Sequence, residues 1–197
     1  RRQLIADRVG ETGAPMIYCN EVGGQDELVF DGGSFGLNGD GSVGVALPCF
    51  AEGVVTSNWI KGDDGIWACA SDAPKAAHPT GLDAIYQTLV LGLRDYVNKN
   101  GFPGVVIGMS GGIDSALSAA VAVDALGSDR VRLVMMPSPY TSADSLEDAE
   151  LCANMLRTGI ESINIGPAMG AFEQMLAPAF EGRDPDIAEE NIQARSR

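Results

Sequence analysis

Eight consecutive residues, Gly108-Met109-Ser110-Gly111-Gly112-Ile113-Asp114-Ser115, combine the residue types that holding a phosphate anion requires. Two adjacent glycines leave no Cβ between the backbone and an anion, so neighbouring N–H groups can converge on it. The hydroxyls of Ser110 and Ser115 are placed to donate to phosphate oxygens. Asp114 is acidic for such a place and fits it when a cation intervenes. Magnesium suits the position, since it takes few carboxylates together with phosphate oxygens and water. A structural glycine turn, with Asp114 capping the helix behind it, is the alternative. No Gly-Lys-Ser/Thr ends the segment, so the lysine of a Walker A loop is missing and γ-phosphoryl transfer is disfavoured. The glycine spacing also differs from the G-x-G-x-x-G of dinucleotide folds.

The elements on either side explain how such a loop is held. Val105-Val106-Ile107 reads as a buried strand, followed by a helix over 115–126, a strand over 131–136, a helix over 145–156 and a strand over 160–165. This β-α-β-α-β order predicts a parallel, doubly wound sheet. The loop then lies at the carboxyl edge, where open α/β sheets collect ligands. Met136-Pro137-Ser138-Pro139-Tyr140-Thr141-Ser142 follows the second strand to the same edge, either as a second ligand-side loop or as a helix-capping turn.

Upstream, Leu82, Ile85, Tyr86, Leu89, Leu93, Tyr96 and Val97 recur at helical spacing, and Asn100-Gly101-Phe102-Pro103-Gly104 ends that helix. Residues 13–70 have a different texture. Short apolar stretches at 15–18, 28–30, 43–47, 53–55 and 66–70 are divided by Gly- and Asp-rich turns, which predicts a β-rich segment. The proline-containing run at 73–80 between the two textures reads as a domain junction, with His78 as a linker residue.

A net charge of −14 with only 13 Lys and Arg argues against nucleic-acid binding. For an anionic ligand it leaves backbone N–H groups and helix N-termini to supply the local attraction. With 45% apolar and 20% charged residues the chain can bury a substantial core. No apolar run approaches the roughly 18 residues of a membrane helix, and Arg1-Arg2-Gln3-Leu4 begins no signal core, so a cytosolic protein is expected. Four cysteines, Cys19, Cys49, Cys69 and Cys152, form no C-x-x-C pair and are expected to be ordinary buried thiols.

The pattern S-G-G-x-D-S resembles the PP-loop of the ATP-pyrophosphatase superfamily, whose members release pyrophosphate from ATP as AMP joins an acyl or related oxygen. Within it, Glu190-Asn191-Ile192-Gln193-Ala194-Arg195, preceded by Asp184-Pro185-Asp186, resembles the E-N-x-Q-A-R segment of NAD synthetases. A solvated helix start is the alternative for that segment. Upstream, Val22-Gly23-Gly24-Gln25-Asp26-Glu27-Leu28-Val29-Phe30-Asp31-Gly32-Gly33-Ser34 is similar to the V-G-G-x-D-x-L-V-F-D-G-x-S stretch of a nitrilase-like glutaminase domain. Together these segments resemble the glutamine-dependent NAD synthetase family.

The resemblance implies an α/β fold in which a partial nitrilase-like β-rich segment, residues 1–76, precedes a PP-loop domain of the adenine nucleotide alpha hydrolase type, residues 77–197. It implies ATP binding by Gly108, Met109, Ser110, Gly111, Gly112, Ile113, Asp114 and Ser115, with magnesium at Asp114. Asn191, Arg195 and Arg197 would lie near deamido-NAD. The substrates would be deamido-NAD, ATP and glutamine or ammonia, the full-length enzyme a homo-oligomer in the cytoplasm. None of the glutaminase Glu, Lys and Cys would lie in this chain, which is expected to be an inactive fragment by itself. Another PP-loop amidating or thiolating enzyme, or a non-catalytic nucleotide-binding module, stays open at this point.

Overall fold

Residues 1–180 and 187–197 are described in the computed structural model, which separates into two units, Arg1–Asn100 and Gly101–Arg197. The first opens with helix α1, Arg2–Thr12, ended by Gly13 in the left-handed region with its N–H on the Val9 carbonyl at 2.8 Å. Val9 is fully buried against Phe35, Leu37 and Ala46, and Ile5 and Met16 pack around that cluster. Short strands follow: β1 (Met16–Tyr18), β2 (Val22–Gln25), β3 (Leu28–Asp31), β4 (Phe35–Leu37), β5 (Val43–Ala46), β6 (Trp59–Lys61) and β7 (Trp67–Cys69). β1, β4 and β5 form one antiparallel sheet in that order, while β2–β3 and β6–β7 are separate hairpins. Helix α2, Gly81–Lys99, packs on β2 and β3.

The β-rich texture is therefore present, with departures: β2, β4 and β6 fall outside the expected stretches. Residues 53–55 form no strand, and Val54 is 98% exposed. Helix α1 was not foreseen, although Ile5 and Val9 stand four residues apart on its buried side. The run at 73–80 is tied into the first unit: Ala46 N–H donates to Pro74 O, Ala76 N–H donates to Ala46 O, and His78 Nε2 lies 3.1 Å from Leu47 O. The two compact units themselves divide after α2. All four cysteines are free, but Cys19 is exposed on the turn after β1 and the other three are half-buried, so the expected burial does not hold. Burial pushes the Cys49 thiol up and Asp31 adds to this against Arg1 and Arg2, which opposes a thiolate there.

The second unit runs β8 (Val105–Met109), α3 (Ile113–Leu126), a short 3-10 turn at Ser128–Arg130, β9 (Val131–Met135), α4 (Ala143–Leu156), β10 (Ile160–Ser162), α5 (Gly166–Phe180) and α6 (Ile187–Ser196). The three strands form a parallel sheet in the order β10-β9-β8. This is the predicted parallel α/β arrangement. The described strands advance in one direction, so right-handed crossovers place α3 and α4 on the same face, where the two helices pack together. Leu133 of β9 is fully buried, and Ala119, Ala122 and Ala125 of α3 are small enough to let that helix lie close to the sheet. β10 ends at Ser162, short of the expected 165, and α5 was not foreseen. Among the described residues no helix is long and apolar enough to cross a membrane.

Candidate functional site

The eight-residue motif occupies one strand-to-helix connection. Gly108 and Met109 are the last residues of β8, Ser110-Gly111-Gly112 form the turn, and Ile113, Asp114 and Ser115 begin α3. Gly111 has a φ of 78°, a conformation L residues rarely adopt. A Cβ on it would collide with the Ser145 carbonyl oxygen and lie 2.8 Å from Ser145 Cα. The turn is thus pressed against the start of α4, a second reason for glycine that the spacing alone did not disclose.

The two serines hold the turn in shape. Ser115 Oγ accepts from Ser110 N–H at 3.3 Å and donates to Gly112 O at 2.9 Å, while Ser110 Oγ accepts from Gly112 N–H at 3.2 Å. The two hydroxyl oxygens are 3.2 Å apart. No side chain caps α3 at Gly112, and Asp114, in the first turn, is exposed without capping the helix. The capping alternative for Asp114 therefore fails, and the positive end of α3 faces outward.

The second loop lies at the same sheet edge. Ser138 is 9% exposed; its N–H donates to Thr141 Oγ1 at 2.9 Å, and its Oγ accepts from Tyr140 N–H at 3.2 Å. Ser142 caps α4, its side chain accepting from Ser145 N–H. The segment is thus a helix-capping turn that also closes one side of the phosphate-type loop. Between the two turns is a small cavity of about 100 Å³, bordered by Met109, Ser110, Pro137, Thr141, Ser145 and Arg197.

Helix α6 returns to this edge. Gln193 Nε2 donates to Ser138 Oγ at 2.8 Å across 55 residues of sequence, and Arg197 borders the cavity. Asn191 and Arg195 are exposed on the same helix. Asp184, Pro185 and Asp186 of the quoted segment lie outside the described residues. Gln193 and Ser138 were not singled out as site residues by sequence reasoning. Gln193 stands within the motif that was quoted, so its polar side chain amid Ile192 and Ala194 was the available signal.

A larger open groove of about 580 Å³ lies at the amino edge of the sheet, bordered by Arg130, Arg132 and Arg157. Two of these three arginines are already engaged. Arg130 donates to the Phe102 and Pro103 carbonyls at 2.9 Å each, and Arg132 pairs with Glu161 at 3.0 Å. Ligands of open α/β sheets gather at the carboxyl edge, so size does not make this groove the site. Among the described residues no cluster of three His, Cys, Asp or Glu side chains could hold a metal by itself. Asp114 is a lone acid beside hydroxyls, a set that suits an ion bound jointly with phosphate.

The sequence model of the NAD synthase family matches residues 85–197, which includes both turns and α6. The chain belongs to the NAD synthase family. A family relative, the glutamine-dependent NAD(+) synthetase of Rhodobacter capsulatus, is 48% identical over all of this chain, which spans 35% of that relative. The solved structure of a glutamine-dependent NAD+ synthetase from Acinetobacter baumannii, in complex with ADP, superposes with a TM-score of 0.91 at 40% identity. It covers 100% of this chain, which matches 37% of that one. An NH3-dependent NAD synthetase from Campylobacter jejuni, in complex with a nitrate ion, covers 59% of this chain at 27% identity and a TM-score of 0.52. This NAD synthase chain thus spans little more than a third of the curated relatives it matches along its whole length.

Proposed function

We propose that the protein to which this chain belongs converts deamido-NAD to NAD in two steps at the turn after β8. The nicotinate carboxylate attacks the α-phosphorus of ATP, the bond to the β-phosphate oxygen breaks, and pyrophosphate leaves. Ammonia, released from glutamine, then attacks the adenylated carbonyl carbon, and AMP departs with the electron pair of the acyl C–O bond. The observation carrying this reading is the S-G-G-x-D-S turn, seated between a parallel strand and an uncapped helix N-terminus in a chain that is family-like from end to end.

The residues divide the work physically. Backbone N–H groups of Gly111 and the first turn of α3, joined by that of Gly112 once it leaves Ser110 Oγ, attract the β- and γ-phosphates without a cationic side chain. Ser115 Oγ turns its proton from Gly112 O to a phosphate oxygen, and Ser110 Oγ serves beside it. Gly108, Met109 and Ile113 shape the wall. Asp114 holds magnesium, which when bound offsets the charge of the departing pyrophosphate. Arg197 borders the cavity and, with Asn191 and Arg195, supplies the polar contacts to deamido-NAD; an arginine fork can bind its pyrophosphate through two hydrogen bonds.

Residues 1–76 are assigned to the nitrilase-like glutaminase part and 77–197 to the synthetase part, supported by the Campylobacter NH3-dependent relative, which matches only 59% of the chain. The full-length enzyme is proposed as a cytoplasmic homo-oligomer acting on small molecules, with this chain inactive when isolated. Pyrophosphate release by the full-length protein with ATP, magnesium and ammonia, with and without deamido-NAD, tests the reading. Release dependent on deamido-NAD with NAD formed is the expected result; release without that dependence refutes it.

A further inference from the structure

Ser138 is the most buried polar residue among the described residues, and its hydrogen bonds can be followed atom by atom. Its Oγ accepts from Gln193 Nε2 at 2.8 Å and from Tyr140 N–H at 3.2 Å, which fills both lone pairs of a hydroxyl. The Ser138 proton is therefore left to donate, and the oxygen within its reach is Thr141 Oγ1 at 3.4 Å. Thr141 Oγ1 also accepts from Ser138 N–H at 2.9 Å, so its own two lone pairs are filled in turn.

This inventory gives the chain of bonds a direction. Gln193 donates to Ser138, Ser138 donates to Thr141, and the Thr141 hydroxyl keeps a proton with no acceptor among the described residues. Thr141 is half-buried and borders the cavity of about 100 Å³ together with Ser110 and Arg197, all within the second unit. Its backbone is held as well, the Thr141 N–H donating to Ser138 O at 3.0 Å. A hydroxyl locked as a donor beside a cavity gains most from a charged acceptor, and loses by desolvation if an occupant offers none.

We propose that Thr141 is a further substrate-binding residue, donating its hydroxyl proton to an anionic oxygen of the ligand in this cavity. Gln193, which does not border the cavity, is the positioning residue that fixes the direction of that donation through Ser138. The inference rests on the proposed function, which supplies two ligands with such oxygens, ATP and deamido-NAD. Arg197 shares the cavity and is assigned there to deamido-NAD, so deamido-NAD is the expected source of the oxygen.

Variants of the full-length enzyme test both roles. Thr141→Val keeps the shape and removes the proton, and KM for deamido-NAD at saturating ATP is expected to rise about tenfold with kcat within about threefold. Thr141→Ser is expected to recover most of that loss. Thr141→Val also frees the Ser138 N–H, so Gln193→Glu is the sharper variant. It keeps the side chain's length, but an ionised carboxylate only accepts, so Ser138 turns its proton to it and Thr141 turns its own to Ser138. The bond between α6 and the turn survives, yet KM for deamido-NAD is expected to rise about tenfold again. Direct repulsion by the added charge would persist on the Thr141→Val background, whereas reversal has nothing left to act on there; Gln193→Glu is expected to add less than about twofold in the double variant. Calorimetric titration of ATP alone is expected to give an unchanged Kd; a comparable loss there, with KM for deamido-NAD unchanged, supports the donor role with ATP as the source of the oxygen. Wild-type values of both constants in Thr141→Val, or a Gln193→Glu effect that multiplies in full on that background, overturn the proposal. Wild-type enzyme whose pyrophosphate release ignores deamido-NAD defeats the functional reading instead, a failure visible before any variant is made.

Discussion

Alanine at Gly111 and alanine at Gly112 differ by one position and are expected to differ sharply in consequence. At Gly111 a methyl group must adopt a φ of 78° and enter the space held by the Ser145 carbonyl, with Ser145 Cα 2.8 Å away. Left-handed backbone costs an alanine about 1–2 kcal/mol. Forcing a carbon against backbone that cannot rotate aside costs about 1–3 kcal/mol more. The turn escapes this cost by leaving the start of α4, and nucleotide binding must then restore it. About 3 kcal/mol in that balance weakens ATP binding roughly 100-fold. At Gly112 φ is −87°, and the nearest atom to a new Cβ is the rotatable Ser110 Oγ at 3.3 Å. Less than about tenfold is expected there, the cost of a small side-chain adjustment. Calorimetric titration of ATP and pyrophosphate-release rates for both variants of the full-length protein make the comparison. ATP affinity of Gly111→Ala within about threefold of wild type, well under 1 kcal/mol by the usual conversion, refutes the argument from α4 contact. Equal damage at both positions refutes it as well.

Replacing the Asp114 carboxylate by an amide is expected to slow magnesium-dependent pyrophosphate release about 100-fold, on the order of 3 kcal/mol, and unchanged release removes Asp114 from metal binding. Gln193→Ala deletes the 2.8 Å hydrogen bond to Ser138 and is expected to raise KM for deamido-NAD about fivefold, one neutral hydrogen bond's worth; steady-state kinetics at saturating ATP give the answer. Asp95 carries a depressed carboxyl pKa, so its ionised form stabilises the fold above the unfolded value near 4 and that contribution is lost as pH falls through the lower folded value. The difference in urea midpoint between wild type and Asp95→Asn should hold from neutral pH down to about pH 4 and shrink below it. A difference that grows on acidification contradicts the sign of the shift.

The second unit was legible where local pattern and long-range packing ask for the same thing. Val105-Val106-Ile107 before two glycines can hardly be anything but a buried strand entering a turn, and β8 and α3 lie there within two residues of expectation. Helix α5 escaped notice because Pro167, Gly170 and Pro178 look like breakers, yet Pro167 sits in the first turn, where its missing N–H costs nothing. β2 and β4 were hidden for the opposite reason. Their glycines remove the alternating side chains that mark a strand, and those glycines are present because a helix at Gly24 and the Trp59 ring at Gly36 come too close for a Cβ. Gly111 meeting Ser145 and Gln193 meeting Ser138 join residues far apart in the chain, which no local period encodes.

The acidity of the chain and the anionic character of its proposed ligand are reconciled by how the site is built. A net charge of −14 repels a nucleotide at long range, but salt screens exposed charges beyond roughly 8–10 Å. Within that distance the turn presents a helix start with no side-chain cap, whose N–H groups do not depend on the lysine that the turn lacks. Under the proposed function Asp114 would convert part of the acidity into an advantage, since a divalent ion held there would face the phosphates with positive charge. Binding should accordingly rely on magnesium and respond weakly to the distant acidic surface. Neutralising exposed carboxylates outside the site, such as Glu147 and Glu150 on α4, is expected to change ATP affinity by less than about threefold, as screened surface charges do. A larger gain would show that the global field, rather than the local turn, limits binding.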